Sequence, residues 1–214
     1  MTSATGISLG WNCHPAGWGV QNKIRQTKTQ GYATCPFDEC ISNYTGVVKC
    51  IEEEFEHFTD LKYIELLPAP VTAGRIRKGD VLVYNTRYNM IFNHESPGHA
   101  NLHVIQRWSG GVNHYTDNNF ALFSERYNRR INNFKSYISN NDVNFIVHRV
   151  RTNMVELCSV LNDVHPNLKY TITHVPVTNV GDLESHLKLM QVPEADIIKE
   201  LTVGRLNTTE DVLE

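Results

Sequence analysis

The sequence lacks any uninterrupted apolar run approaching the about 20 residues a membrane helix needs, so no membrane partner is expected. Its opening, MTSATGISLGWN, has neither a basic start nor an apolar h-region. No signal peptide is expected, and a cytoplasmic location follows. Clustered positive charge is also missing. Twenty Lys and Arg against 23 Asp and Glu give a net charge of −3, which argues against a nucleic-acid partner. Internal repeats, low-complexity tracts and interdomain linkers are absent, so residues 1–214 are expected to form one domain. The five cysteines, Cys13, Cys35, Cys40, Cys50 and Cys158, are odd in number and match no zinc spacing. Free thiols in a reducing compartment, with no bound metal, are expected. There is no dinucleotide fingerprint, no P-loop and no Asp-x-Asp, so no cofactor is expected.

What the sequence does contain begins with ISLGWNCHPAGWGVQN, followed about twenty residues later by Pro36-Phe37-Asp38. Residues 7–10 read as a short buried strand. Cys13 and His14 follow in a turn ahead of a helix that starts late or irregularly because of Pro15, Gly17 and Gly19. A helix N-terminus offers unpaired N–H groups and a partial positive charge. These favour a thiolate and can hold an oxyanion.

Farther on, residues 42–58 read as a helix, with Val47, Ile51, Phe55 and Phe58 on one face and Ser42, Asn43 or Thr45 as cap. Residues 61–74 read as a connection and residues 80–84 as a strand. Residues 89–93 and 102–108 read as short strands around a loop. The apolar stripe Phe120, Phe123, Tyr127, Ile131, Phe134 and Ile138 predicts the best helix of the chain. A strand over 143–150 follows, then a helix from an Asn153/Glu156 capping pair to about Val164. A strand over 170–177 and two short helices, 183–190 and 195–202, complete the chain. This alternation predicts an α/β fold, a mixed central sheet flanked by helices, with an α+β papain-like layout as the alternative.

The patches Ser8-Leu9-Gly10-x-x-Cys13, Pro36-Phe37-Asp38, Ile91-Phe92-Asn93-His94-Glu95 and Tyr127-x-Arg129-Arg130-Ile131-x-x-Phe134 together resemble a domain family of unknown function described as “putative papain-like cysteine peptidases”. Glu39 stands where that family usually has Trp. The resemblance covers roughly the first two-thirds of the chain. It implies a thiol-dependent acyl hydrolase acting on a peptide, amide or other acyl substrate.

In that reading Cys13 is the nucleophile, His94 the base and Asp38 the residue that orients the ring. Asn12 is a candidate oxyanion donor, and Arg129 and Arg130 are candidates to hold a carboxylate or phosphate of the substrate. Each also has a plainer reading: a buried thiol, a loop histidine, a turn aspartate, a turn asparagine, and arginines lying over the helix stripe. His99 and His103 lie four apart. The Pro97, Gly98 and β-branched neighbours argue against the helix a His-x-x-x-His metal site needs. The alternative function is a nucleotide-sugar-binding protein or glycosyltransferase, with phosphate held at the strand–turn–helix. A non-catalytic binding module is the third.

Overall fold

The computed structural model describes residues 4–97, 99, 102–140, 142–149 and 154–202. It is a mixed α/β structure. Its strands are segregated into a parallel sheet and an antiparallel sheet rather than mixed in one. β1 (Thr5–Ser8), β5 (Val143–Arg149) and β6 (Tyr170–Pro176) form the parallel sheet in the order β1-β5-β6. In it Ile7 lies opposite Phe145 and Phe145 opposite Ile172. β2 (Ile64–Pro68), β3 (Val81–Asn85) and β4 (Met90–Ile91) form the antiparallel sheet.

α1 (His14–Gln21) packs on the parallel sheet. A side chain at Gly19 would come within 2.4 Å of Ile146 Cδ1, so a larger residue there would require the Ile146 side chain to turn aside. Gly10, at the end of β1, has φ +85°, and an added Cβ would lie 1.9 Å from Ser42 Oγ. The chain can therefore leave the strand and enter the Cys13 turn only without a side chain at that position.

α2 (Tyr44–Glu52) is capped by Asn43, whose Oδ1 accepts from the Gly46 N–H at 2.7 Å. It stops six residues earlier than its apolar spacing predicts. Glu54 and Phe55 take left-handed φ values of 48° and 67°. Phe55 and Phe58 are still buried, carried inward by a turn instead of a continuing helix.

α3 (Leu102–Ile105) is one helical turn where a strand was expected, and it leaves Val104 and Ile105 exposed. β2 was not expected at all. Much of its surface faces solvent, so its residues carry little alternation to read. α4 (Asp117–Asn140) contains the expected stripe, but residues 118–120 are left-handed, so regular helix begins after Phe120.

α5 (Val155–Val164) has Met154 at its N-cap; the expected cap at Asn153 lies outside the described residues. α6 (Val180–Leu189) and α7 (Glu194–Leu201) flank Pro193.

The main core gathers aromatic rings from separate elements. Phe58 meets Phe37, Phe92 and Tyr127 at centroid distances of 5.9, 5.4 and 5.5 Å, and Phe92 meets Phe123 at 4.8 Å. Each of these buried side chains is worth about 1.5–3 kcal/mol of transfer free energy. A second core, including Trp11, Ile41, Leu82, Tyr84, Leu183, Leu187 and Met190, joins the antiparallel sheet to α6.

A buried ion pair fastens α7 to the rest. Arg149 Nε lies 3.1 Å from Glu200 Oε1, and the guanidinium also donates to the Leu9 and His148 carbonyls, each at 3.0 Å. Glu200 Oε2 accepts from the Tyr44 N–H at 2.8 Å, at the first turn of α2, where a negative charge suits the helix dipole. Burial pulls Arg149 below its ordinary value, and the Glu200 carboxylate opposes that shift. Glu200→Ala is expected to cost about 3–5 kcal/mol, read as a lower urea midpoint, because it leaves a buried guanidinium without its counter-charge. The double variant Arg149→Met/Glu200→Leu should recover much of the loss. A single variant as stable as wild type would contradict this account.

Candidate functional site

Parallel α/β sheets place ligands beyond the carboxyl ends of their strands. Here those ends carry Cys13 after β1 and His148 near the end of β5. The register is tied past β1 itself, because the His148 N–H donates to the Gly10 carbonyl at 3.2 Å. The ring of His148 lies 5.5 Å from that of His14 and 5.9 Å from that of Trp11. Trp11 in turn meets His186 of α6 edge-on at 4.7 Å. The turn holding Cys13 thus contributes Trp11 and His14 to a file of rings, His14, His148, Trp11 and His186.

His186 Nδ1 lies 2.6 Å from the Asp182 carbonyl, which can only accept, so this nitrogen carries the proton. Burial pulls His186 below its ordinary value, while the hydrogen bond to Asp182 opposes that shift. Neither His148 nor His186 was singled out from the sequence. The available signal was the position of His148 seven residues before the α5 start, at the carboxyl end of a well-patterned strand.

Cys13 is the exposed thiol; Cys35, Cys40 and Cys50 are buried and Cys158 is half-buried. It is the N-cap of α1, as its place before a helix suggested. The electrostatics around Cys13 run against a thiolate, despite its place at a helix terminus. Desolvation raises the Cys13 thiol above its ordinary value, and Glu39 raises it further. Its own backbone N–H and Arg75 act the other way. The helix terminus is weakened locally. Pro15 has no N–H, and the His14 N–H is taken by Asn12 Oδ1 at 2.8 Å. Asn12 thus uses its amide oxygen to build the turn.

Among the described residues the partners of the Asp38 carboxylate are a guanidinium and a backbone N–H, not an imidazole. Its Oδ1 receives Arg25 Nη1 at 2.7 Å and its Oδ2 receives the Cys35 N–H at 2.7 Å, within a short 3-10 turn over Pro36–Asp38. Arg25 also lies over the Tyr32 ring at 4.0 Å. Asp38 therefore frames the loop, the plainer of the two roles expected for it.

His94, in the 3-10 turn Asn93–Glu95, has its ring contact with His99 at 5.5 Å. Burial and the neighbouring His94 push His99 down to about 4, so it is neutral near pH 7. The connection from this pair to Cys13 is indirect. Arg75 acts on both His99 and Cys13. It sits in the turn closed by the Ala73–Ile76 bridge, and neighbouring Gly74 packs near His186.

Arg130 and Arg126 meet at a different point. Both pair with Glu39 and with the buried carboxylate of Glu95, which also accepts from Tyr127. Lys28 joins Glu39 at 2.6 Å. Burial would raise Glu39, but Arg130, Lys28 and Arg126 together hold it down at about 2. Arg129 lines the adjoining cleft and is exposed. Among the described residues no group of three or more His, Cys, Asp or Glu is arranged to hold a metal, and no helix is long and apolar enough to cross a membrane.

Residues 5–179 match the model of a family of unknown function described as “putative papain-like cysteine peptidase”, and the chain belongs to that family. No curated protein and no solved structure matches it.

Two expectations follow from the electrostatics. Iodoacetamide should modify Cys13 ahead of the other four thiols, with a rate that climbs through alkaline pH. Glu39→Gln should shift that profile to lower pH and Arg75→Ala to higher pH. Mass-spectrometric mapping across pH checks both, and shifts of the opposite sign would refute the assignment. Glu39 also makes stability pH-dependent. Its folded value lies below the ordinary 4.5, so its contribution is complete above that value and is lost as pH falls toward 2. Glu39→Gln should therefore flatten the acid limb of a stability–pH curve in that window, as measured by urea unfolding.

Proposed function

With that family membership as premise, we propose that this chain is a thiol-dependent acyl hydrolase of the peptidase type, with Cys13 as its nucleophile. The single observation that carries the reading is the position of Cys13. It is an exposed cysteine at the head of α1, beyond the carboxyl end of a parallel strand, and the next residue, His14, meets the ring of His148. A thiol raised above its ordinary value is protonated at neutral pH and needs a base to become a nucleophile.

His148 is the base we assign, because its backbone is bonded to the strand end that launches the Cys13 turn and its ring meets those of Trp11 and His14, which flank the Asn12–Cys13 pair. The Cys13 sulfur attacks the acyl carbon, and its proton passes to the imidazole. The imidazolium returns that proton to the departing amine or alcohol. Water then cleaves the thioester and releases the acid. The peptide bond is the substrate class the family description favours.

His94 is the second reading for the base, supported by Arg75 acting on both Cys13 and His99. A generic acyl donor, p-nitrophenyl acetate, separates the readings. Wild type is expected to show a nitrophenolate burst and an acetyl adduct on Cys13, and Cys13→Ala neither. His148→Ala should slow acylation by about 10²–10⁴-fold with His94→Ala near wild type. The reverse order would move the base to His94. A burst that survives in Cys13→Ala would end the hydrolase reading.

A further inference from the structure

We propose that the cleft beside α4, lined by Lys28, Thr34, Arg126, Arg129, Arg130 and Asn133, is a binding site for the phosphate dianion of a phosphomonoester. The cleft measures about 360 Å³, room for a phosphoryl group and part of what carries it. Four cationic side chains surround it, and the carboxylates that answer them are Glu39 and Glu95. Beyond those ion pairs the cleft keeps an excess of positive charge, which suits a dianion better than a single carboxylate.

The arginines are held in place for this task. Arg130 is only 3% exposed and lies over the Tyr127 ring at 4.7 Å; its Nη1 reaches Glu95 at 3.6 Å and makes no hydrogen bond. Arg126 donates to the Tyr115 hydroxyl at 3.0 Å. The opposite wall is fixed by Asn133 Nδ2 donating to the Thr34 carbonyl at 2.9 Å and by the Ala33 N–H donating to the Tyr137 hydroxyl at 2.7 Å. Arginines in preset orientations lose little entropy on gripping a planar or tetrahedral oxyanion.

Arg129 separates this proposal from a purely structural ion-pair cluster. It lines the same cleft, is exposed, and has no ion pair among the described residues. Glu39 is the internal competitor, an anion already touching three of the four cations. A phosphate dianion would share those cations with it or displace it from them.

The proposal does not depend on Cys13 being a nucleophile, and its test runs on the full chain carrying Cys13→Ser. Inorganic phosphate and phenyl phosphate are titrated by calorimetry at low ionic strength and mildly alkaline pH, with acetate and chloride at matched ionic strength. One saturable site is expected for both phosphates, tighter than for acetate. Arg129→Ala, at an exposed position, should weaken it by about tenfold. Arg77→Ala, an exposed arginine away from the cleft, should leave it unchanged, and Glu39→Gln should tighten it. The proposal is overturned if phosphate binds no better than acetate or chloride. Equal losses in Arg129→Ala and Arg77→Ala would also overturn it.

Discussion

The parallel pairing of Thr5–Ser8 with residues 143–146 is the constraint on which the rest of the site depends. It joins chain segments about 140 residues apart in sequence. Once made, it fixes the end of β1 against the end of β5. Gly10 can then bond to His148 while turning past Ser42, and Cys13 emerges at the sheet's carboxyl edge. The segment 39–42 is held to the same edge, because Ser42 N–H donates to the Trp11 carbonyl at 2.7 Å and Ile41 bridges to Ile91. Through these two links the antiparallel sheet and the loop bearing His94 are hung from the Cys13 turn rather than packed independently of it.

The electrostatics turn on Glu39. It neutralises part of the cationic cleft, and its negative charge also reaches Cys13 and opposes thiolate formation. One carboxylate thus lowers the cost of burying Arg130 and weakens the thiol as an unaided nucleophile. In the proposed hydrolase the thiol would therefore depend on a general base rather than stand as a thiolate–imidazolium pair. The blunted helix terminus points the same way, since Pro15 and Asn12 between them remove two of the N–H groups that would otherwise face an anion.

The legible parts of the fold were those with strong local signals. The α4 stripe, the β5 run and the Asn43 cap all follow from side-chain periodicity and capping chemistry, and they lie where those predict. The parts that did not read correctly were decided by contacts distant in sequence. Val47, Ile51, Phe55 and Phe58 have helical spacing, yet the chain breaks at Glu54 and Phe55. The core accepts Phe55 and Phe58 from a turn as readily as from a helix. β2 exists because β3 pairs with it, and Leu66, 46% exposed, gives no inward face to detect. At the site, Cys13 could be found from its turn. His148 stood at the end of a readable strand, but its place beside the His14 and Trp11 rings comes from pairing with a segment distant in sequence. Asp38 was visible as a polar residue beside Pro36-Phe37, but Arg25, thirteen residues earlier, decides what it does.

The last two helices show that the site is not closed by the family-matched region alone. Residues 5–179 supply the Cys13 turn and β5, while α6 and α7 lie beyond that span. Yet α6 places His186 against Trp11, and α7 sends Glu200 to the buried guanidinium of Arg149, next in sequence to His148. Arg149 also holds the Leu9 carbonyl, so the same ion pair ties together the ends of both strands that frame Cys13. Withdrawing α7 would strand a buried charge directly behind the candidate base and free the α2 N-terminus that Glu200 also binds. The strand ends around the Cys13 turn are therefore held by the final helices as well as by the stretch that carries the cysteine.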